Sequence, residues 1–85
     1  MKTLVDVIFR QILMRIRVGP FSNSDEAGAA RDRLRSLGNR DISEPFPLQD
    51  GGTWWAQASA TSSREGAERL VQVLRNQNIG GVVIV

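Results

Sequence analysis

Displaced by forty residues, this chain aligns with itself without a gap. Arg15 to Gly38 (RIRVGPFSNSDEAGAARDRLRSLG) overlays Trp55 to Asn78 (WAQASATSSREGAERLVQVLRNQN). Ser22 falls on Ser62, Ala27 on Ala67, Leu34 on Leu74 and Arg35 on Arg75. Each copy holds an alternating run, a Ser-rich turn and an amphipathic segment. A repeat at this period marks units that cannot bury their apolar faces alone and must pack together. In 85 residues there is no room for a second core. The expectation is one pseudo-twofold domain over residues 1–85, with unit one at about 12–46, a connection at 44–52 and unit two at about 53–85.

The alternation in Ile12 to Val18 sends Ile12, Met14, Ile16 and Val18 to one side and Leu13, Arg15 and Arg17 to the other, the pattern of a half-buried strand. Gly19-Pro20 should end it, because proline cannot donate to a ladder. Ser22 is placed to cap a helix, with Asp25 in its first turn, and Gly38 to close it. Ala27, Ala30, Leu34 and Leu37 form its apolar stripe, leaving Arg31, Arg33 and Arg35 on solvated sides. In unit two, Trp54, Ala56 and Ala58 share one strand face; Trp55, Gln57 and Ser59 share the other. Ser62 with Glu65 reads as a capping box, and Ala67, Leu70, Val71 and Leu74 as the buried stripe, ended by Asn78 or Gly80.

Gly81 to Val85 is wholly apolar and reads as a strand buried in the sheet. Asp41 to Phe46 is a short candidate strand, and Glu44 to Gly52 (EPFPLQDGG), with two prolines and a turn signature, the connection. Thr3 to Phe9 favours a strand that hairpins through Arg10-Gln11, by its β-branched content, although Leu4, Val7, Ile8, Gln11 and Ile12 also fit one helical face. Each unit is thus β-α-β. The predicted class is α+β, a ferredoxin-like β-α-β-β-α-β fold with an antiparallel sheet, two helices on one face and an extra N-terminal strand. The other face of its central strands should carry Arg15, Arg17, Trp55 and Gln57. Phe21 reads as a core plug. Trp54 and Trp55 point to opposite faces, and register decides which is buried.

Composition narrows the chemistry. The chain has neither cysteine nor histidine, so cysteine nucleophiles, thiolate metal sites and Ser-His-Asp hydrolysis are excluded. The carboxylates show no paired spacing on one face. No catalysis, cofactor or metal is expected. Ten of the eleven basic residues are arginine, a side chain suited to planar anionic or polar groups, or else a mark of a GC-rich genome. No run approaches the ~20 apolar residues of a membrane span. Met1 to Val18 has too many charges for a signal peptide, so expressed alone the chain is expected in the cytoplasm.

The wording of the two units is more specific. RIRVGPFSNSDEAGAARDRLRSLG resembles the second half of the sporulation-related repeat (SPOR) domain of bacterial envelope proteins: a basic alternating strand, Gly-Pro-Phe, a Ser-rich turn and an Ala/Arg/Leu helix ending in Gly. WWAQASATSSREGAERLVQVLRNQNIGGVVIV resembles the first half, with its Trp-Val-Gln strand and Ala/Glu-rich helix. The halves stand here in reversed order, as a circular permutation, natural or engineered, or a redesign would leave them. The start at Met1 and the end at Val85 suit an engineered chain. The resemblance implies a module that binds peptidoglycan glycan strands stripped of stem peptides, on the open sheet face, and so brings its protein to the division septum in the cell envelope or periplasm. It maps Gln57 onto the family's strand glutamine, Arg15 onto the first arginine of the basic strand, and Leu13 onto a position sometimes aromatic. Where the family has Gly-Ser/Ala-Phe, this chain has Ser59-Ala60-Thr61. The glycan-binding candidates are Gln57, Arg15, Trp55, Arg17, Leu13 and Ser59, with Gln57 and the arginines as donors and Trp55 as a flat apolar surface. Two other readings remain open: a ferredoxin-like scaffold, permuted or redesigned, that keeps no ligand, and a platform for single-stranded nucleic acid. Pairing of Thr3 to Phe9 with Val82 to Val85 between chains would give a strand-exchanged homodimer.

Overall fold

A computed structural model describes residues 13–85. The strand or helix expected at Thr3 to Phe9, and its hairpin, lie outside these residues. Six elements follow in the order β1 (Met14–Phe21), α1 (Ser24–Ser36), β2 (Phe46–Asp50), β3 (Thr53–Thr61), α2 (Arg64–Asn76) and β4 (Val82–Ile84). The sheet runs β2-β3-β1-β4 with every pairing antiparallel. This is the ferredoxin-like arrangement, and the forty-residue offset carries α1 onto α2 at both ends.

Both helices lie on one face of the sheet. Ile16 and Val18 of β1 and Ala56 and Ala58 of β3 share one buried cluster with Leu34 of α1 and Ala67, Leu70 and Leu74 of α2. Four alanines (Ala27, Ala56, Ala58, Ala67) are wholly buried, which lets helix and sheet backbones approach closely around Ile16, Leu34, Leu70 and Leu74. The predicted stripe of α2 is buried throughout; in α1, Ala27 and Leu34 are buried while Ala30 and Leu37 pack at the margin. Phe21 packs against the same cluster, as expected of a plug.

Several local expectations need correcting. The caps sit one residue later than the Ser-rich turns imply: Asn23 Oδ1 accepts from Glu26 N, Glu26 Oε2 accepts from Ser22 N, and Ser63 Oγ accepts from Gly66 N. With Asn23 as the cap, the Glu26 carboxylate reaches back to the Ser22 N–H just ahead of the helix, so both N–H groups are satisfied. Asn78, with φ of 60°, ends α2, matching Gly38 after α1. Gly19-Pro20 does not end β1; the strand runs to Phe21 through a register irregularity, Gly19 N donating to Gly81 O at 3.1 Å. Asp41 to Pro45 forms no strand. The stretch read as a connection instead contains β2, an edge strand that tolerates Pro47, and Gly51 and Gly52 (φ 60° and 81°) make the two-residue turn of a β2-β3 hairpin. Finally, among the described residues β4 lies at the sheet edge, with Val83 and Ile84 exposed and not buried within the sheet.

Candidate functional site

The sheet face turned away from the helices is built from the residues that alternate with the core positions. On β1 these are Arg15 and Arg17; on β3, Trp55 and Gln57; on β2, Phe46, Leu48 and Asp50; on β4, Val83. Residues directly opposite across a ladder share a face, so Val83, Arg17, Gln57 and Phe46 form one row spanning all four strands. Arg17 and Gln57 are repeat equivalents, forty residues apart, and face each other across the centre of the sheet.

Arg17 is the buried charge of this face. Its guanidinium Nη1 donates to Asp50 Oδ2 at 2.9 Å, and its Nε lies 3.4 Å from Gln57 Oε1. The Arg17 side chain is 9% exposed and that of Asp50 60%, so the carboxylate forms the solvent end of the pair. Burial of a guanidinium is tolerated only with such pairing. Because Arg17 occupies the Gln57 carbonyl, the Gln57 amide NH2 is left as the group available to a ligand.

Trp55 fixes one end of the face. A Cβ on Gly19 would lie 2.8 Å from its Cε3 and 3.2 Å from the Trp54 carbonyl, so the indole packs on bare backbone that only glycine provides. Trp54 falls on the helix side, opposite Phe21. Register has thus assigned the two tryptophans, and both are half-buried. Arg15 is exposed on the open face. Its backbone exchanges hydrogen bonds with Val85 (3.0 and 2.8 Å), and among the described residues its side chain makes no ion pair.

The structure brings Arg15, Arg17, Trp55 and Gln57 to one face, but not Ser59. Ile16 pairs with Ser59 and Arg17 with Gln57, so Ala58 is an extra residue, a β-bulge that reverses the alternation beyond it. Ser59 therefore sits opposite core Ile16 and lines a helix-side cavity of about 290 Å³ with Leu70 and Arg40. Leu13 stands just ahead of β1, exposed. Sequence reasoning missed Phe46 and Asp50, because both fall in the stretch read as a connection; the signal that would have found them is Asp50-Gly51-Gly52, a hairpin turn signature. Among the described residues no acidic cluster could hold a metal ion, and no helix is long and apolar enough to cross a membrane. A concavity of about 510 Å³ lined by Val18, Phe21, Ala30 and Ile79 lies on the helix side.

Among known families, the model described as the SPOR domain matches residues 2–43, a span that takes in β1, α1 and the loop after it and stops short of β2. Arg15 and Arg17 fall inside the match; Trp55 and Gln57 fall outside it. No curated protein and no solved structure matches the chain.

Proposed function

Through residues 2–43 the chain belongs to the SPOR domain family, whose members are peptidoglycan-binding modules of the bacterial cell envelope, and we propose that it binds glycan strands on the sheet face opposite its helices. The observation that carries this reading is the grouping of Arg15, Gln57 and Trp55 on that face, with Arg17 holding the Gln57 carbonyl. A pyranose ring offers an apolar C–H face, hydroxyls and N-acetyl carbonyls. The Trp55 indole suits the first; the Gln57 amide and the Arg15 guanidinium are donors for the oxygens. Nothing in this scheme moves a proton or forms a bond, so the module is non-catalytic.

The finer reading is that the ligand is glycan freed of stem peptides, as found at the division septum. A peptide branching from alternate sugars would obstruct contact with a nearly flat sheet, whereas a bare strand can lie along it. The order of the halves, Gly-Pro-Phe unit before Trp-Gln unit, fits a circular permutation, because a β-α-β pair of equivalent units closes the same sheet whichever leads.

Pull-down with intact and amidase-stripped bacterial sacculi tests the proposal. The expected result is enrichment on both, greater on the stripped material, with Gln57→Ala and Arg15→Ala each lowering retention several-fold. A folded wild-type chain that stays in the supernatant would mean that the architecture persists without its ligand.

A further inference from the structure

We infer that Asp50 is a specificity-determining residue of the open face: it covers the Arg17 charge and so rejects single-stranded polyanions from a surface otherwise equipped to hold them. This rests on the open face being the binding face. Among the described residues that face carries two aromatic side chains, Trp55 half-buried and Phe46 46% exposed, on adjacent strands. Aromatics on a sheet beside arginines are the parts from which single-strand platforms are made, bases stacking on rings while cations track the phosphates. The parts are present here, yet Arg17 is withheld in its pair with Asp50.

The asymmetry of the ion pair makes the argument. The Arg17 side chain is almost fully covered, and its guanidinium Nη1 is paired with the carboxylate of Asp50, a side chain that is largely exposed. A phosphate approaching the centre of the face therefore meets the Asp50 carboxylate before the guanidinium. Like charges brought together in this way discriminate strongly between partners. A neutral sugar hydroxyl pays no such penalty, since a carboxylate accepts its hydrogen bond. Asp50 reaches this position only because β2 ends at the Gly51-Gly52 turn, which folds the hairpin back beside β3.

The test is binding of a fluorescein-labelled oligothymidylate of about twenty nucleotides, long enough to cross one small domain. Wild type, Asp50→Asn, Asp50→Ser and the double variant Asp50→Asn/Arg17→Gln are compared at low and moderate salt, each checked for folding by thermal melting. Glu68→Gln is the control: it removes the same charge and frees an arginine, Arg64, but on exposed α2. Asp50→Asn and Asp50→Ser should each tighten binding about tenfold at low salt, with roughly 0.7 added to the salt slope for one new phosphate contact. Adding Arg17→Gln should cancel the gain, and Glu68→Gln should show little. Equal binding by wild type and the folded Asp50 variants overturns the inference, as does an equal gain from Glu68→Gln. Failure of both Asp50 variants to fold would also overturn it, by making the pair a structural staple. None of these readings depends on sacculi, so the glycan proposal can fail in the pull-down independently.

Discussion

Gly19 shows how one residue type can be dictated by two neighbours at once. Its φ of 154° lies where side chains are disfavoured, and the Trp55 ring occupies the place its Cβ would take. Gly19→Ala should cost about 2 kcal/mol, the usual range for a backbone clash. It should also move the Trp55 indole, giving a shift in tryptophan emission alongside a lower urea midpoint. An unchanged spectrum with full stability would mean that Trp55 has room to yield. Ser59 and Phe46 mark the limit of residue-level reading. Strict alternation assigned Ser59 to the open face, and it fails because a bulge at Ala58 carries no compositional mark: the extra residue is an ordinary small one in an otherwise regular strand. Phe46 escaped because prolines on either side of it suggested a loop, whereas an edge strand accepts Pro47.

At the scale of elements, the helices were the most legible part. Their apolar stripes at period 3.6 named the buried residues of α2 without error, and only the cap positions slipped, by one residue in each unit. Leu74, wholly buried among α2 and the sheet, should lose about 2–5 kcal/mol on truncation to alanine. Ser63→Ala, which leaves Gly66 N without its acceptor, should cost about 1 kcal/mol. Urea unfolding separates the two, and a Leu74→Ala loss no larger than that of Ser63→Ala would contradict the assigned core. The β2-β3 hairpin offers a change of opposite sign. Gly51 sits at φ 60°, which asparagine tolerates, so Gly51→Asn should raise stability by about 0.4–1 kcal/mol through loss of unfolded-state freedom. A fall in the melting temperature would show that the turn needs glycine at both places.

For the molecule as a whole, the repeat predicted the architecture because two equivalent β-α-β units have few ways to share one core. What the repeat did not contain was the end of each unit. The forty-residue offset holds through both helices and then lapses, since β2 follows α1 by a longer loop than β4 follows α2. The expectation of a buried strand at Gly81 to Val85 failed separately: among the described residues β4 pairs with β1 alone, and Val83 and Ile84 stay exposed. That edge, with Val83, Ile84 and Val85 exposed, is the kind that pairs with another chain. Gel filtration over a wide concentration range should therefore show a concentration-dependent dimer, and elution as monomer throughout would count against strand exchange.

The near-twofold placement of Arg17 opposite Gln57 has a consequence for anything long that lies along β1 and β3. Arg15 and Trp55 are repeat equivalents too, and they stand on either side of that central pair, a guanidinium toward one end and an indole toward the other. The backbone beneath is almost the same read from either end; the side chains are not. A polymer with two different termini therefore meets a surface with a head and a tail, and its two possible orientations match in shape while differing in chemistry.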